Sequence, residues 1–339
     1  MAAHGALGRR VRAGLAIVLA LTVAGACGRS GSKPKEPLAT LRFGLLQAVD
    51  QLPFFVMQQQ GFAARNGLRL VPTVLPGGVA VIKAIQQGAV DFGYPGSVPV
   101  LGAMAVGTIP TEATVVAATA FADGDHKAFA VVVGKGVIGW KDLAGRDIAV
   151  NQPGTIGAIS VQLRLRAEGV GGARLVSIPF PNQGLAVADG TVAGAAMIDP
   201  YLAQSLLRGD GKVLDWIVGG GEPFPTFPIS VVTVSMPLLR DQPARVKSLL
   251  RAHVQALRWI NSHPEQAKAL LIRRLGLTPE VGRGIHLLSF PSDARDDAAA
   301  LERVRAAMAS LDPRSVPSEG AAVFDERLLE QVLAEPAMR

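Results

Sequence analysis

The chain has 339 residues, 49% of them hydrophobic and 18% charged, with a formal net charge of +7. That balance suits a globular protein with substantial buried cores, and the basic excess is scattered rather than interleaved with aromatics, which excludes a nucleic-acid-binding face. A single cysteine, Cys27, excludes disulfides and Cys-based metal sites within one chain.

The first 26 residues do not read as part of the fold. Arg9, Arg10 and Arg12 form a basic start, and residues 13–25 form an apolar run without a charge. The run is too short and too rich in small residues to span a membrane well, so residues 1–26 are expected to be an export signal. They end in Val23-Ala24-Gly25-Ala26-Cys27, which resembles a bacterial lipobox. In a lipobox the cysteine is lipidated and becomes the mature N-terminus, and Ala24 stands where Leu is commoner. Residues 27–37 are polar and rich in Gly, Ser and Pro, as a flexible tether is. Without the signal and its three arginines the net charge falls to +4, on a length that suits about two domains.

From residue 41 the pattern alternates. LRFGLL (41–46) reads as a strand, 53–64 as a helix closed by Asn66-Gly67, and LRLVPTVL (68–75) as a second strand. A helix over 79–87 ends at Gly88, the strand VDFGYPG follows, and a helix over 98–106 leads to the strand ATVVAATA. Short glycine-containing links between strand and helix argue for a parallel α/β sheet.

The alternation restarts after Gly134. A short helix over 140–144 precedes RDIAV (146–150), a buried strand, and NQPGTIGAISVQLRLR (151–166), where Ile156, Ile159 and Leu163 recur at helical spacing. Between them the turn Pro153-Gly154-Thr155 presents backbone N–H groups and a hydroxyl at a helix start, a natural site for an anion. The competing reading is that Thr155 caps the helix. The strand RLVSIPF, a helix over 184–188, the strand GAAMID, a helix over 200–207 and the strand KVLDWIV complete the set. QQGAVDFGYPG (86–96) is echoed by ADGTVAGAAMIDP (188–200), so two similar lobes are expected. The apolar runs AFAVVVGK (128–135) and ISVVTVSMP (229–237) read as the connections into and out of the second lobe. The remainder is helical, with helices over 245–260 and 293–310, a capping box at Ser262-His263-Pro264-Glu265, and a helix start at Thr278-Pro279.

Five stretches in this order, PFFVMQQQGFAARNGL, AIQQGAVDFGYPG, IGWKDLAGRDIAVNQPGT, MIDPYLA and LRWINSHPEQAKALLIRRLGLTPE, resemble the substrate-binding proteins of ABC importers. The similarity is to the nitrate/sulfonate/taurine type, which also contains binders of thiamine pyrimidine precursors, and it covers residues 41–329. It implies a two-lobed α/β fold of the periplasmic-binding-protein type II, two doubly wound sheets joined by two hinge strands. The lobes would be 38–128 plus 233–339, and 129–232.

It further implies a cleft lined by strand-end loops. Gln47 and Gln51 match the loop after the first strand, Gly96 and Ser97 the loop after DFG, and Asn151, Gly154 and Thr155 the helix start. Asp199 matches the acidic residue of the family's Trp-Glu-Pro or Trp-Asp-Pro element, with Met197-Ile198 in place of the aromatic. Plain structural readings stand beside these: Ser97 as a turn residue, Gln47 and Gln51 as solvated loop residues, Asp199 as the cap of the helix after it, and Tyr94 as packing beside its loop. The functional expectation is a lipid-anchored, monomeric binder on the outer face of the cell membrane. It would deliver a small organic anion or zwitterion to a permease and its ATPase, without cofactor, metal or catalysis. The histidines are too dispersed for a metal pair, and the Cys/His-rich motif of the relatives that make the thiamine pyrimidine is missing. The alternatives are a pyrimidine precursor or other amine-bearing heterocycle as ligand, and a non-transport sensor with the same fold. Asp199 would pair with an amine.

Overall fold

β-Branched and small apolar runs separated by glycine turns build ten strands. They are β1 (Ala39–Leu45), β2 (Leu68–Val74), β3 (Phe92–Gly93), β4 (Ala113–Ala122), β5 (Ala130–Val133), β6 (Asp147–Val150), β7 (Arg174–Ser177), β8 (Gly194–Met197), β9 (Lys212–Trp216) and β10 (Phe227–Ser235). The structure, a computed structural model, describes residues 37–338 apart from 220, 222, 223, 319 and 320. The stretches expected to be an export signal and a tether, with Cys27, fall almost wholly outside the described residues.

The strands form two five-stranded sheets, ordered β2-β1-β3-β10-β4 and β7-β6-β8-β5-β9. The two orders are the same motif. In each sheet three parallel strands are followed by one antiparallel strand in the fourth place, β10 in the first and β5 in the second. The echo between 86–96 and 188–200 has a topological basis, because β3 and β8 hold the third place of their sheets. Each follows a helix ended by a left-handed glycine, Gly88 (φ 66°) or Gly190 (φ 80°), a conformation that costs glycine nothing. Pro72 is tolerated in β2 because β2 is an edge strand, where a missing N–H breaks no ladder bond.

The two apolar runs read as connections sit inside the sheets instead. All four residues of β5 and all nine of β10 are buried, so these segments are too apolar for an exposed hinge. The crossings lie just upstream of each, over 123–129 and from 217 onward. They pair with one another, Ala128 N donating to Val218 O at 3.1 Å and Ile217 N to Phe129 O at 2.9 Å. The boundary expected at 232/233 falls within β10.

The helix expected over 53–64 breaks in two, Leu52–Gln59 and Phe62–Arg65, at Gly61 (φ 68°). After β10 the long helix Pro243–Ser262 buries Leu249, Leu250, Val254 and Leu257. It packs on Leu52–Gln59, each fully buried leucine contributing about 1.5–3 kcal/mol. The capping box does not form. Ser262 still belongs to that helix, so its hydroxyl donates back to Arg258 O at 2.9 Å, and His263 takes the N-cap place. The last long helix begins later than expected, at Ala298, where Asp297 accepts from Ala300 N at 2.9 Å. It runs to Leu311 and packs on both β10 and the second-sheet helix Ile156–Ala167, so it braces the two halves. Among the described residues no helix is long and apolar enough to cross a membrane.

Candidate functional site

Loops at the ends of both sheets enclose a cleft of about 340 Å³. That lies at the small end of the roughly 300–1,000 Å³ usual for small-molecule sites.

On the first-sheet side the chain leaves β1 through an extended Ala48 and a single tight turn, Val49–Gln51, which brings Asp50 and Gln51 inward. Asp50 lines the cleft and is only 5% exposed. Gln51 lies behind it, fully buried. Its amide donates to Asp50 Oδ2 at 2.7 Å and to Tyr94 O at 3.3 Å, while its Oε1 accepts from Leu46 N. Burial raises the Asp50 carboxyl pKa to about 6, against the opposing pull of Gln51 and Ser230. Gln47 stands exposed at the mouth.

On the second-sheet side β6 ends at Val150 and the loop turns through Gly154 (φ 66°) to the helix Ile156–Ala167. Thr155 does not cap that helix. Its hydroxyl lies 3.0 Å from Asn151 Oδ1 and 2.8 Å from Gln152 O, turned back onto its own loop. The first N–H groups of the helix therefore stay free of any side-chain cap, and Thr155 and Ile156 face the cleft. The helices Gly78–Gln86 and Ser97–Ala105 also start at the cleft wall, through Gly77, Gly78 and Gly96, and neither carries a side-chain cap. Three helix starts without a side-chain cap, each carrying partial positive charge, thus border one space. Among the described residues no Lys or Arg lines it.

The rest of the wall is apolar and aromatic. Phe180 and Tyr201 stack with centroids 5.4 Å apart and planes at 12°, and Phe129 lies 6.3 Å from Phe180. Burial raises the Tyr201 pKa, so this ring is neutral near pH 7. Among the described residues no group of three or more His, Cys, Asp or Glu is placed to hold a metal ion.

Of the eight positions singled out in the sequence, Gln47, Gly96, Asn151 and Thr155 come together on the cleft wall. The other four do not line it. Gln51 orients Asp50 from behind. The Ser97 hydroxyl donates to Pro228 O at 2.6 Å and fastens its helix to β10. Gly154 is the exposed turn that positions Thr155. Asp199 is 2% exposed and faces the protein: Oδ1 accepts from Ala203 N at 3.0 Å, and Oδ2 accepts from His286 N at 2.7 Å. The amine-pairing role expected of it has no geometric basis, because its oxygens serve a helix start and a neighbouring loop. Tyr94 packs, as its plain reading had it, with its hydroxyl 2.9 Å from His253 Nδ1.

Sequence reading missed Asp50, Phe180 and Tyr201. Asp50 left a signal, the only acid in the apolar run AVDQLPFF between the first strand and the first helix. The aromatic pair left none, since Phe180 and Tyr201 lie 21 positions apart and meet only through the fold.

The sequence profile of the NMT1-like family matches residues 34–274. The chain belongs to the NMT1-like family. Among solved structures, one similar to this family member is the alkanesulfonate-binding protein SsuA of Xanthomonas axonopodis pv. citri bound to MOPS. It has 20% identity and a TM-score of 0.68, over 88% of this chain and 99% of that one. The periplasmic nitrate-binding protein NrtA of Synechocystis PCC 6803 has 13% identity and a TM-score of 0.73, over 87% and 88%. The desulfurization enzyme DSZB is also similar, with 19% identity and a TM-score of 0.63, over 87% and 98%. At these identities the likeness is one of fold, and the two-lobed periplasmic-binding-protein arrangement is common to all. No curated protein sequence matches the chain.

Proposed function

We propose that the chain is the extracytoplasmic solute-binding component of an ABC importer, which captures a small organic acid between its two halves and delivers it to a permease. The carrying observation is the convergence of three uncapped helix starts from both sheets on one apolar cleft. Helix N–H groups hold an anion by fixed dipoles, each helix start contributing about 0.3–1 kcal/mol and more where water is excluded. Binding proteins for an alkanesulfonate and for nitrate share the fold, which supports an oxyanion as the recognised group. The likeness to DSZB raises catalysis as a rival. Among the described residues the cleft wall offers one carboxylate and no Cys, His, Ser or Lys. Its two hydroxyls have no base beside them: Thr155 is turned onto its own loop and burial keeps Tyr201 protonated, which favours binding. Lipidation of Cys27 would hold the domain, as a monomer, at the outer face of the membrane.

Calorimetry with 4-methylbenzenesulfonate, 4-methylbenzoate and nitrate tests the reading, with small-angle scattering on the same samples. At least one anion should bind and compact the protein. Failure of all three, and of a benzenesulfonate that also carries an amine, to bind would sink it.

A further inference from the structure

Among the described residues Asp50 is the one charged side chain on the cleft wall. It is 5% exposed, its neighbour Gln51 fixes one oxygen at 2.7 Å, and among the described residues no Lys, Arg or His forms an ion pair with it. A buried carboxylate without a counter-charge is costly, and proteins seldom keep one without a partner to meet it. The turn is closed by Gln51, whose Oε1 accepts from Leu46 N and whose amide donates to Tyr94 O, and a neutral acceptor in place of Asp50 would serve the same amide. The walls flanking it are broad and apolar: the stacked Phe180 and Tyr201, with Phe129, Ile156 and Ile229.

We propose that the ligand carries a protonated nitrogen, an amine or amidine, on a flat apolar body, and that Asp50 is the residue that recognises this nitrogen. The inference rests on the preceding reading for the ligand's acidic end, which the helix starts hold. The cleft then has two electrical poles, a carboxylate from the loop after β1 and a set of helix starts, with aromatic rings on the same wall. An acid lacking the nitrogen meets Asp50 as a like charge in a site poor in water, and that repulsion is the basis of selection.

Three probes separate the poles: 4-(aminomethyl)benzenesulfonate, 4-methylbenzenesulfonate and 4-methylbenzylamine, titrated calorimetrically into the protein and into Asp50→Asn at pH 7.5. The aminosulfonate should bind most tightly to the unaltered protein. Asp50→Asn should weaken it by about 10- to 100-fold, the loss of a hydrogen bond to a charged group, and should tighten 4-methylbenzenesulfonate. Because the two changes have opposite signs, a misfolded variant cannot imitate the result. Equal affinity of the two sulfonates for the unaltered protein, or parallel loss of both in the variant, would overturn the assignment of Asp50. Binding of 4-methylbenzylamine alone, lost in Asp50→Asn, would keep Asp50 and remove the acid-binding reading. Failure of all three probes at millimolar concentration would overturn both.

Discussion

Asp199 Oδ2 accepts from the backbone N–H of His286 at 2.7 Å and lies 3.0 Å from the same residue's Nδ1, while Oδ1 accepts from Ala203 N at 3.0 Å. One buried carboxylate therefore ties the exit of β8 to the segment that leads into the last helices. Its backbone carbonyl also accepts from Val49 N at 3.3 Å, in the turn beside Asp50. Asp199→Ala leaves several donors unpaired around a buried site, and the expected loss is about 2–4 kcal/mol. The midpoint of thermal unfolding should drop by several degrees. Affinities for an amine-bearing ligand and its amine-free analogue should change in parallel; a selective loss of the amine-bearing one would restore Asp199 as a ligand contact.

Asp50 makes the opposite prediction. Its folded pKa of about 6 stands above the model-peptide value, so the folded protein holds a proton that the unfolded chain has released. Stability from this group is complete below about pH 4 and is lost as pH rises through 6. Above that pH the ionised carboxylate costs on the order of 3 kcal/mol in the ligand-free protein. Asp50→Asn should therefore raise the unfolding midpoint of the ligand-free protein at pH 7.5 and leave it nearly unchanged at pH 4. Chemical denaturation at both pH values checks this, and destabilisation at pH 7.5 would mean that Asp50 serves the fold.

The contrast between these two acids shows what the sequence conveys. Alternation of strand and helix, the glycines at helix ends and the echo around residues 86–96 and 188–200 are local patterns, and they carried the two-sheet architecture. The crossings were misplaced because β5 and β10 are apolar from end to end, and nothing local separates a connection from a central strand. Asn151 and Thr155 were legible because a strand-end turn before a helix delivers donors by its own geometry. Asp50 and Asp199 could not be ranked, since each precedes a helix and only long-range packing decides which one faces the cleft. Phe180 and Tyr201 were invisible for the same reason.

At the other end of the chain, the small residues before Cys27 and the polar stretch after it motivate a test of export and anchoring. Cys27→Ser should move the protein from the membrane fraction to the soluble extracytoplasmic fraction, and metabolic labelling with a fatty acid should be lost. Retained labelling in the variant would rule out Cys27 as the lipidated residue. A single acyl chain binds membranes only marginally, so a fully anchored protein is expected to carry more than one at this residue.

Closure of the cleft depends on how near its walls approach. Gly96, from the first-sheet side, has backbone angles any residue can adopt (φ −70°, ψ 158°), so it is kept for space and not for conformation. A Cβ there would stand 3.2 Å from Ile156 Cδ1, on the second-sheet side, and 3.3 Å from Ile229 O. The two extra methyl groups of valine would press on Ile156 at the helix start and hold the walls apart. A ligand shifts the protein toward the closed form only by the contacts it gains there, and a wedge that removes those contacts removes the shift. Gly96→Val should thus weaken binding by at least about 10-fold, since one or two lost hydrogen bonds to a charged ligand suffice for that. Its unfolding midpoint without ligand should also fall somewhat, because Ile156 can yield by opening but Ile229 O, in the neighbouring strand β10, cannot. Scattering should show no compaction of the variant at ligand saturation. Compaction equal to that of the unaltered protein would mean that the approach of Gly96 to Ile156 has no part in closure.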